Sequence, residues 1–469
     1  MKSFLNNIKN LGLPNKKIFW WLLFGAIIFA WCKFRFDYLT IRTGDTWIYW
    51  YAGKEILEGN LPYQDFFYSS PPLIPYLTAL WQWLFGFNLK VALIVPHLLT
   101  IISGFLIFIF FSLKEKYQAG IVAAIAFLFA GVVFVHADFL LGSNIILPFI
   151  IAGFLFFDRK KFFLAGIFFG LAALTKLYGI IPAIFLLPFL KNRKDFFNFA
   201  LGGLISFGVP NLIFLSLLGG KYIDLIFFNH FQKDFFGKLD SFIAVLKNDT
   251  ALLLTLLLGI FWSRKEPAFR YLVCAGLGLI IFLSIFSEIF YPYFQPLIAI
   301  SALVLGYFLI KKDLPWSRFA LPAIFITLVF NSLQSVWNYY KVDCKLGQLP
   351  EFDQMLQVVK HTTKVGDPIY GISGLTPLLA LESDREIFEN YFDNYAKWES
   401  VGIFSSESRL REVAEDRVPL IITSENRICK SQICSDGTLL PKKFLLRNCQ
   451  IEQKFGYNEF TFWSCFAKP

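Results

Sequence analysis

Apolar runs separated by short polar segments fill the first 340 positions, a pattern that predicts a chain crossing a membrane many times. The runs are nearly free of charge, and a helix crossing a bilayer needs ~20 apolar residues. Because eleven runs are present, the two termini are expected on opposite sides of the membrane. The runs cover roughly 18–34, 91–112, 119–135, 145–157, 162–175, 177–190, 196–218, 251–262, 270–287, 294–310 and 319–336.

The least certain division lies between the runs at 162–175 and 177–190. This segment indicates either two short helices broken near Lys176 and Gly179 or one long bent helix, which would change the parity. Basic clusters at 159–161 and 191–194 should lie on the same side of the membrane, and this favours two helices. Lys176 then lies near the opposite, outer face.

Basic residues cluster in every second loop, the positive-inside pattern of cytoplasmic segments. At the N-terminus Lys16 and Lys17 precede an apolar run that ends without a small-residue cleavage site, which predicts an uncleaved signal anchor with a cytoplasmic N-terminus. The loop clusters are Lys114 and Lys116; Arg159, Lys160 and Lys161; Lys191, Arg193 and Lys194; Arg264, Lys265 and Arg270; and Lys311, Lys312 and Arg318.

Composition agrees with a multi-pass membrane protein. Of 469 residues, 56% are hydrophobic and 17% are charged, whereas about 25% of the residues of soluble proteins are charged. The net charge of +10 does not indicate nucleic-acid binding, because residues 338–469 hold 16 Lys and Arg against 18 Asp and Glu. The positive excess therefore belongs to the short loops.

Two regions are too long to be simple connectors. In the first loop, 35–90, segments 47–57 and 73–84 have the length and aromatic edges of helices lying in the membrane interface. The chain therefore divides into a transmembrane domain over 1–337 and a small extracytoplasmic α/β domain over 338–469. Within the tail, strands are predicted at 368–373, 419–424 and 460–464, and amphipathic helices at 352–363 and 406–416.

Five of the seven cysteines fall in this tail. An oxidising exterior permits disulfides, and the plausible pairs are Cys429 with Cys434 and Cys449 with Cys465, leaving Cys344. The spacing of Cys429 and Cys434 could in principle hold a metal. No histidine lies near them, so a disulfide or free thiol is favoured.

The first loop carries the sharpest chemical signal. Asp45 follows the first span and precedes an aromatic-rich segment that returns through Pro71-Pro72. The structural alternative is that Asp45 caps the helix beginning there, since Asp is a favoured N-cap. Asp65 is the next carboxylate, but together with Tyr63 it lies in a segment typical of a turn.

These features suit the transfer of a sugar from a lipid phosphate at the outer membrane face. Such a reaction needs a carboxylate that takes the acceptor's proton, and Asp45 fits this role. It also needs donors for the leaving phosphate. Lys176 is the leading candidate, because a lone lysine at the edge of an apolar segment is costly unless it is used or snorkels. Arg42 and Lys54 are further cationic candidates.

Two shorter outer loops add candidates. His136 and Asp138 lie in the loop 136–144, where Asp138 is either a second acid or a cap of the next helix. Tyr291 and Tyr293 can hydrogen-bond a sugar or phosphate, although tyrosines are common at membrane interfaces without such a role. No metal site or other cofactor is predicted, and the sequence leaves a metal requirement open.

Taken in order, these motifs resemble bacterial members of the GT-C superfamily of polyprenyl-phosphate-sugar-dependent glycosyltransferases, in the group of protein O-mannosyltransferases and lipid A aminoarabinose transferases. The resemblance covers residues 1 to about 310 and implies an α-helical polytopic fold with Asp45 as base and Lys176 near the lipid phosphate. Its implied partners are a polyprenyl-phosphate sugar donor and a lipid, glycan or protein acceptor. The residues that carry it are Gly44-Asp45, Tyr51-Ala52, 59–63, 71–73, 170–176, 291–294 and Pro296-Leu297.

The chain departs from that family at two positions. Many relatives have a lysine or histidine directly before the double proline, where this chain has Ser70. Relatives also often place an acidic residue deeper in the second outer loop, where this chain has Gly-Ser-Asn at 142–144. Asp138 is then the candidate substitute, or the acceptor differs.

Two hypotheses from other classes remain beside the enzyme. A transporter or flippase of lipid-linked sugars usually carries ionisable residues at mid-membrane and an internal repeat, whereas these spans are nearly charge-free and show no clear repeat. The third hypothesis is an assembly factor whose tail binds a partner.

Overall fold

The structure is a computed structural model of the chain. It describes residues 16–465 apart from 37–38, 40, 229–237, 265, 287–288, 311–316, 340–348, 350, 396–397, 399–401, 425–444, 446 and 456–459. Cys344, Cys429 and Cys434 lie outside the described residues, so the predicted pair of Cys429 with Cys434 stays a prediction.

Helices occupy every apolar run that the sequence assigns to the membrane. Because such a run has no water to satisfy its backbone, internal helical hydrogen bonds are the stable solution. The helices are Lys16–Phe36, Leu89–Ser112, Tyr117–Leu128, Gly131–Val135, Gly142–Asp158, Phe162–Thr175, Ile181–Leu186, Arg193–Gly203, Val209–Leu218, Lys238–Asn248, Thr250–Ser263, Arg270–Ile285, Gln295–Ile310 and Ser317–Asn338.

Within the described part of the chain, five helices are long and apolar enough to cross a membrane. A sixth span results if Lys238–Asn248 and Thr250–Ser263, which meet at 90°, form one. Five further apolar helices are shorter, so the count of eleven spans stays a prediction. The five long helices are Lys17–Phe36, Leu89–Ser112, Arg193–Leu218, Pro267–Ile285 and Tyr291–Ile310.

The segment around Lys176 is broken, as the two-helix interpretation predicts. Helix Phe162–Thr175 ends at Lys176, whose backbone is extended with φ −146° and ψ 132°, and a short 3-10 turn, Leu177–Ile180, follows. Lys176 therefore occupies the gap between two helical pieces. Its side chain is free of the helical register and can turn toward the first loop.

Small residues let the helices of this region approach closely. A Cβ added to Gly166 would lie 2.0 Å from the carbonyl oxygen of Phe199, and one added to Gly202 would lie 2.1 Å from that of Phe163. Helices without a hydrophobic driving force between them pack best where such small residues meet. The glycine-rich run before Lys176 is thus fixed against its neighbour.

The first loop folds into two further helices, Asp45–Leu57 and Leu73–Phe85. They are joined by side-chain bonds to backbone: Thr78 donates to the Tyr49 carbonyl at 2.7 Å, and Gln82 donates to the Trp50 carbonyl at 2.7 Å. Residues 46–53 of the first helix are all buried. The helix is therefore enclosed by protein, and its predicted position in the membrane interface stays a prediction.

The tail forms a five-stranded mixed sheet of β1 Pro368–Gly371, β2 Glu386–Ile387, β3 Leu420–Ser424, β4 Cys449–Phe455 and β5 Phe460–Cys465. The strand order is β2-β1-β3-β5-β4. Strand β1 is parallel to β2 and β3, whereas β5 is antiparallel to β3 and β4. The predicted strands and helices are confirmed within a few residues, while β2, β4 and helix Thr376–Ser383 were not predicted. The helices of the tail are Phe352–Thr362, Thr376–Ser383 and Ser406–Glu415.

A disulfide joins Cys449 to Cys465, which are paired positions on β4 and β5. The predicted pairing of these two cysteines is confirmed. It closes the last hairpin of the sheet.

First loop and tail share one hydrophobic core. Trp47, Ile48 and Trp50 of the loop helix pack in the same buried cluster as Leu375 and Leu378 of the tail. The backbone is tied as well, because the Gly44 N–H donates to the Gly374 carbonyl at 3.1 Å. The tail therefore covers the first loop and fixes the segment in which Asp45 lies.

Candidate functional site

Asp45 is the first residue of helix Asp45–Leu57, and its side chain is not used as a cap. The N-cap position is Gly44, which has no side chain that could cap the helix. Its φ of +147° is a conformation that favours glycine. The Asp45 carboxylate instead accepts a hydrogen bond from the Tyr395 hydroxyl at 2.9 Å. A residue of the tail thus orients the half-buried carboxylate.

Tyr49 lies one helical turn after Asp45 and is fully enclosed. Burial raises its pKa, and the nearby charge of Asp45 raises it further, followed by Tyr68, Tyr293 and Asp393. The hydroxyl is therefore protonated at neutral pH. The first loop, the loop at 291–294 and the tail therefore each place a residue near Tyr49, and this group of residues is called the Asp45 pocket below.

Lys176 enters this pocket from the membrane domain. Its ammonium donates to the Ser70 hydroxyl at 2.8 Å and lies 5.7 Å from the centre of the Tyr49 ring. Its aliphatic chain passes over Gly142, where an added Cβ would lie 2.3 Å from Lys176 Cε. A cation from a distant helix break thus lies at Ser70, directly before the double proline.

Asp393 and Tyr68 are two members of the pocket that the sequence did not reveal. Asp393 is buried and accepts hydrogen bonds from Trp398 Nε1 at 3.0 Å and from the Ser69 hydroxyl at 3.5 Å. Burial raises the pKa of Tyr68, with further contributions from Asp393 and Asp45. Among the described residues, the buried Tyr68 hydroxyl has no hydrogen-bond partner, so it is a donor that remains to be used.

Asp138 is held in a buried ion-pair cluster. Arg35 Nη2 lies 3.4 Å and Arg42 Nη2 3.3 Å from its carboxylate oxygens, and the Tyr339 hydroxyl donates at 2.9 Å. Burial alone would raise its pKa, but the two guanidinium groups hold the pKa below its ordinary value. Asp138 does not cap the next helix, whose N-cap is Leu141. A catalytic role for Asp138 and a phosphate contact for Arg42 stay predictions.

Tyr291 lies between His136 and a carboxylate that the sequence did not single out, Asp249. The Tyr291 hydroxyl donates to Asp249 at 2.8 Å, and the backbone N–H groups of Gly131 and Val132 donate at 2.6 and 3.1 Å. Burial raises the pKa of Asp249 to about 6, and it lowers the pKa of His136 to about 4. The rings of His136 and Tyr291 lie 5.5 Å apart, edge to face.

Other candidates have structural partners. Lys54 is ion-paired with Glu58 and Glu386, each at 3.0 Å, on the side of the helix that faces the tail. Asp65 accepts from the Leu61 backbone N–H at 2.7 Å, which confirms the turn. Tyr63 is buried, and its hydroxyl donates to the Ser70 carbonyl at 2.5 Å.

Tyr293 packs with its ring 5.5 Å from that of Tyr178, directly after the Lys176 break. Through this contact the loop at 291–294 touches the same helix break that carries Lys176. Tyr293 therefore reaches the pocket, whereas Tyr291 faces Asp249.

One group of described carboxylates is close enough to share a cation. Oxygens of Glu55, Glu58 and Glu386 lie within 4.8 Å of one another. Lys54 is ion-paired with two of the three, so its ammonium already supplies positive charge there. The cluster is therefore explained without a metal.

The structure thus brings together Asp45, Lys176 and Tyr293 of the predicted residues. It adds Tyr49, Tyr68, Ser69, Ser70, Asp393 and Tyr395. The signal that could have found Tyr68, Ser69 and Ser70 is their position directly before the double proline. For Asp393 and Tyr395 the tail sequence offers no such signal, because their contacts span more than 320 positions of the chain.

No protein-family model and no curated protein matches the chain. Solved structures do match. ArnT from Cupriavidus metallidurans in the apo state is similar with a TM-score of 0.69 at 14% identity, over 96% of this chain and 98% of that one. The structure of ArnT bound to undecaprenyl phosphate gives a TM-score of 0.66 at 13% identity, over 95% and 98%.

Arabinofuranosyltransferase AftD from Mycobacteria matches with a TM-score of 0.54 at 14% identity, over 95% of this chain and 40% of that one. The Archaeoglobus fulgidus oligosaccharyltransferase, solved with zinc and sulfate, matches with a TM-score of 0.51 at 14% identity, over 86% and 67%. All are GT-C glycosyltransferases, and the resemblance drawn from the sequence is confirmed at the level of the fold.

Proposed function

We propose that the protein, which has the fold of the GT-C glycosyltransferases, is a membrane glycosyltransferase that takes a sugar from a polyprenyl phosphate. The observation that carries the proposal is the position of Tyr49, which lies one helical turn after Asp45 and whose ring lies 5.7 Å from the ammonium of Lys176, a residue from a distant part of the chain. A base and a phosphate-binding cation in one pocket are the two groups that this reaction requires.

In the proposed mechanism the acceptor hydroxyl forms a bond to the anomeric carbon of the donor sugar, the bond from that carbon to the phosphate oxygen breaks, and polyprenyl phosphate leaves. Asp45 accepts the proton of the attacking hydroxyl. Tyr395 holds one oxygen of the carboxylate at 2.9 Å, which leaves the other free to face the acceptor. The lipid phosphate binds the Lys176 ammonium and displaces it from the Ser70 hydroxyl. Tyr68, whose hydroxyl has no hydrogen-bond partner among the described residues, is the proposed second donor to the same oxygens.

Undecaprenyl phosphate bound to the structurally similar ArnT supports this donor class. The acceptor is a lipid, glycan or protein, and transfer takes place at the outer membrane face. The N-terminus is then cytoplasmic and the tail extracytoplasmic, as the basic loops predict.

The test is Asp45→Asn in protein reconstituted into nanodiscs, with undecaprenyl-phosphate-linked sugars as donors and membrane extract as acceptor. Release of undecaprenyl phosphate should fall by at least ~10²-fold, the usual contribution of a general base, while the amount of folded protein is unchanged. The matched control is Asp353→Asn, an exposed carboxylate on the tail helix Phe352–Thr362.

Full activity of Asp45→Asn would contradict the assignment of Asp45 as the base. A transporter gives another result, because wild-type protein in sealed vesicles would move the lipid-linked sugar across the membrane without releasing undecaprenyl phosphate.

A further inference from the structure

A second concave surface lies beside the proposed donor pocket. This surface, the Arg409 cleft, has a volume of about 700 Å³, within the ~300–1,000 Å³ typical of small-molecule sites. Its walls are residues 63–67 of the first loop, the segment around Lys221 and Phe228, and the tail residues Glu389 and Arg409. Three separate parts of the chain therefore meet there.

Arg409 shows that the cleft is prepared for a polar molecule. The residue is 5% exposed, and its guanidinium is clamped between the rings of Tyr391 at 3.9 Å and Phe404 at 3.5 Å. Among the described residues, its Nη1 has no hydrogen-bond partner. A buried donor without an acceptor is costly, and an oxygen of a bound molecule would satisfy it.

The lining favours a carbohydrate over other classes. Three carboxylates and two cations line the cleft, a net charge of −1, which disfavours a polyphosphate or another polyanion. Carboxylates accept hydrogen bonds from sugar hydroxyls, and the cations donate to them. Phe228, 51% exposed, and the half-buried Phe67 offer apolar ring faces beside these polar groups. The charged residues are Asp65, Asp224 and Glu389 with Lys221 and Arg409.

The cleft also communicates with the donor pocket. Phe67, on its wall, packs edge to face with Trp398 at 5.3 Å. Trp398 in turn donates to Asp393, which the Ser69 hydroxyl contacts from the first loop. A molecule in the cleft therefore lies against the residues that build the wall of the Asp45 pocket.

We propose that the Arg409 cleft binds an uncharged oligosaccharide, the acceptor of the transfer reaction. That the bound oligosaccharide is the acceptor rests on the proposed function, whereas the binding of an oligosaccharide is inferred from the cleft alone. Arg409 Nη1 donates to a hydroxyl oxygen of the glycan, Glu389 and Asp224 accept from its hydroxyl groups, and Phe228 covers one sugar face.

The test uses the full-length protein in nanodiscs on a printed array of neutral, carboxylated and phosphorylated oligosaccharides. Wild-type protein should bind neutral oligosaccharides, and Arg409→Gln and Lys221→Gln should each weaken that binding at least tenfold. Lys221 is exposed, so its substitution does not endanger folding if Arg409→Gln does. The matched controls are Arg411→Gln on the same helix and Lys90→Gln at another exposed lysine, and both should bind as wild type.

Binding of undecaprenyl phosphate is measured on the same preparations and separates the two proposals. Wild-type protein that binds undecaprenyl phosphate but no oligosaccharide, or that prefers phosphorylated ones, overturns the cleft assignment alone. Equal oligosaccharide binding by Lys221→Gln, folded Arg409→Gln and wild type overturns it as well. Protein that binds neutral oligosaccharides through the cleft but not undecaprenyl phosphate leaves the cleft standing and overturns the donor class.

Discussion

Substitution of Gly142 by alanine should disable the phosphate site without touching a catalytic group. Gly142 begins helix Gly142–Asp158, where alanine is compatible with the backbone. The added Cβ would lie 2.3 Å from Lys176 Cε, and ordinary contact begins near 3.4 Å. The lysine must therefore shift by about 1 Å, because its flexible chain yields more easily than the helix.

The cost follows from the bond that is lost. The ammonium lies 2.8 Å from the Ser70 hydroxyl, and a shift of that size takes it away from the position proposed for the phosphate. A hydrogen bond to a charged group contributes ~1.5–3 kcal/mol, and each 1.4 kcal/mol is about tenfold in affinity. We expect Gly142→Ala to weaken undecaprenyl phosphate binding about 10- to 100-fold, with an unchanged melting temperature.

The assay is titration of undecaprenyl phosphate into protein in nanodiscs. Gly25→Ala is the control, because a Cβ at Gly25 meets nothing within 4 Å among the described residues. In a Lys176→Met background Gly142→Ala should have no further effect, since no ammonium remains to be displaced. Wild-type affinity of Gly142→Ala, or a full additional loss in the double variant, would refute the reasoning.

Two further predictions concern the buried charges. Asp138→Asn should destabilise the protein by about 3–5 kcal/mol, because Arg35 and Arg42 are left buried without their counter-charge; thermal unfolding measures it. Burial lowers the pKa of His136 to about 4, so the unfolded chain binds a proton that the folded one does not. The contribution of His136 to the free energy of unfolding is thus fully present above pH ~6.5 and is lost as the pH falls toward 4. His136→Gln should make this loss of stability with falling pH less steep. The pKa of Asp249 is raised to about 6 in the folded protein. Between the pKa of Asp249 in the unfolded chain and pH 6, this residue therefore makes the folded state more stable as the pH falls.

Controls for both come from exposed residues of the tail helix, Asp353→Asn and His361→Gln, which should leave the unfolding curves as in wild type. A stable Asp138→Asn protein contradicts the ion-pair account. An acid-side loss of stability that is as steep in His136→Gln as in wild type contradicts the histidine account.

The sequence alone determined the local structure, because local structure follows from local pattern. Runs of apolar residues predicted the helices, and the basic clusters at 159–161 and 191–194 favoured a break between two of them near Lys176. Short runs of β-favouring residues likewise located three of the five tail strands. Strand β4, polar and mostly exposed, carried no such run.

Site residues were predictable only from their position beside the apolar runs, since Asp45 follows the first span and Lys176 ends an apolar segment. That signal marks a position, but it does not say what the residue contacts. Asp138 and Lys176 looked alike in this respect. The tertiary structure separated them, since two guanidinium groups surround Asp138 whereas Lys176 reaches a serine hydroxyl in the pocket.

Everything that depends on contacts far apart in the chain was decided by the tertiary structure. The sequence established a membrane chain with a carboxylate after the first span and a lysine at a helix break. Only the packing of the tail onto the first loop brought Tyr395 to Asp45 and Asp393 to Ser69. A site assembled from three segments has no local signature, because each segment alone satisfies only its own backbone and burial.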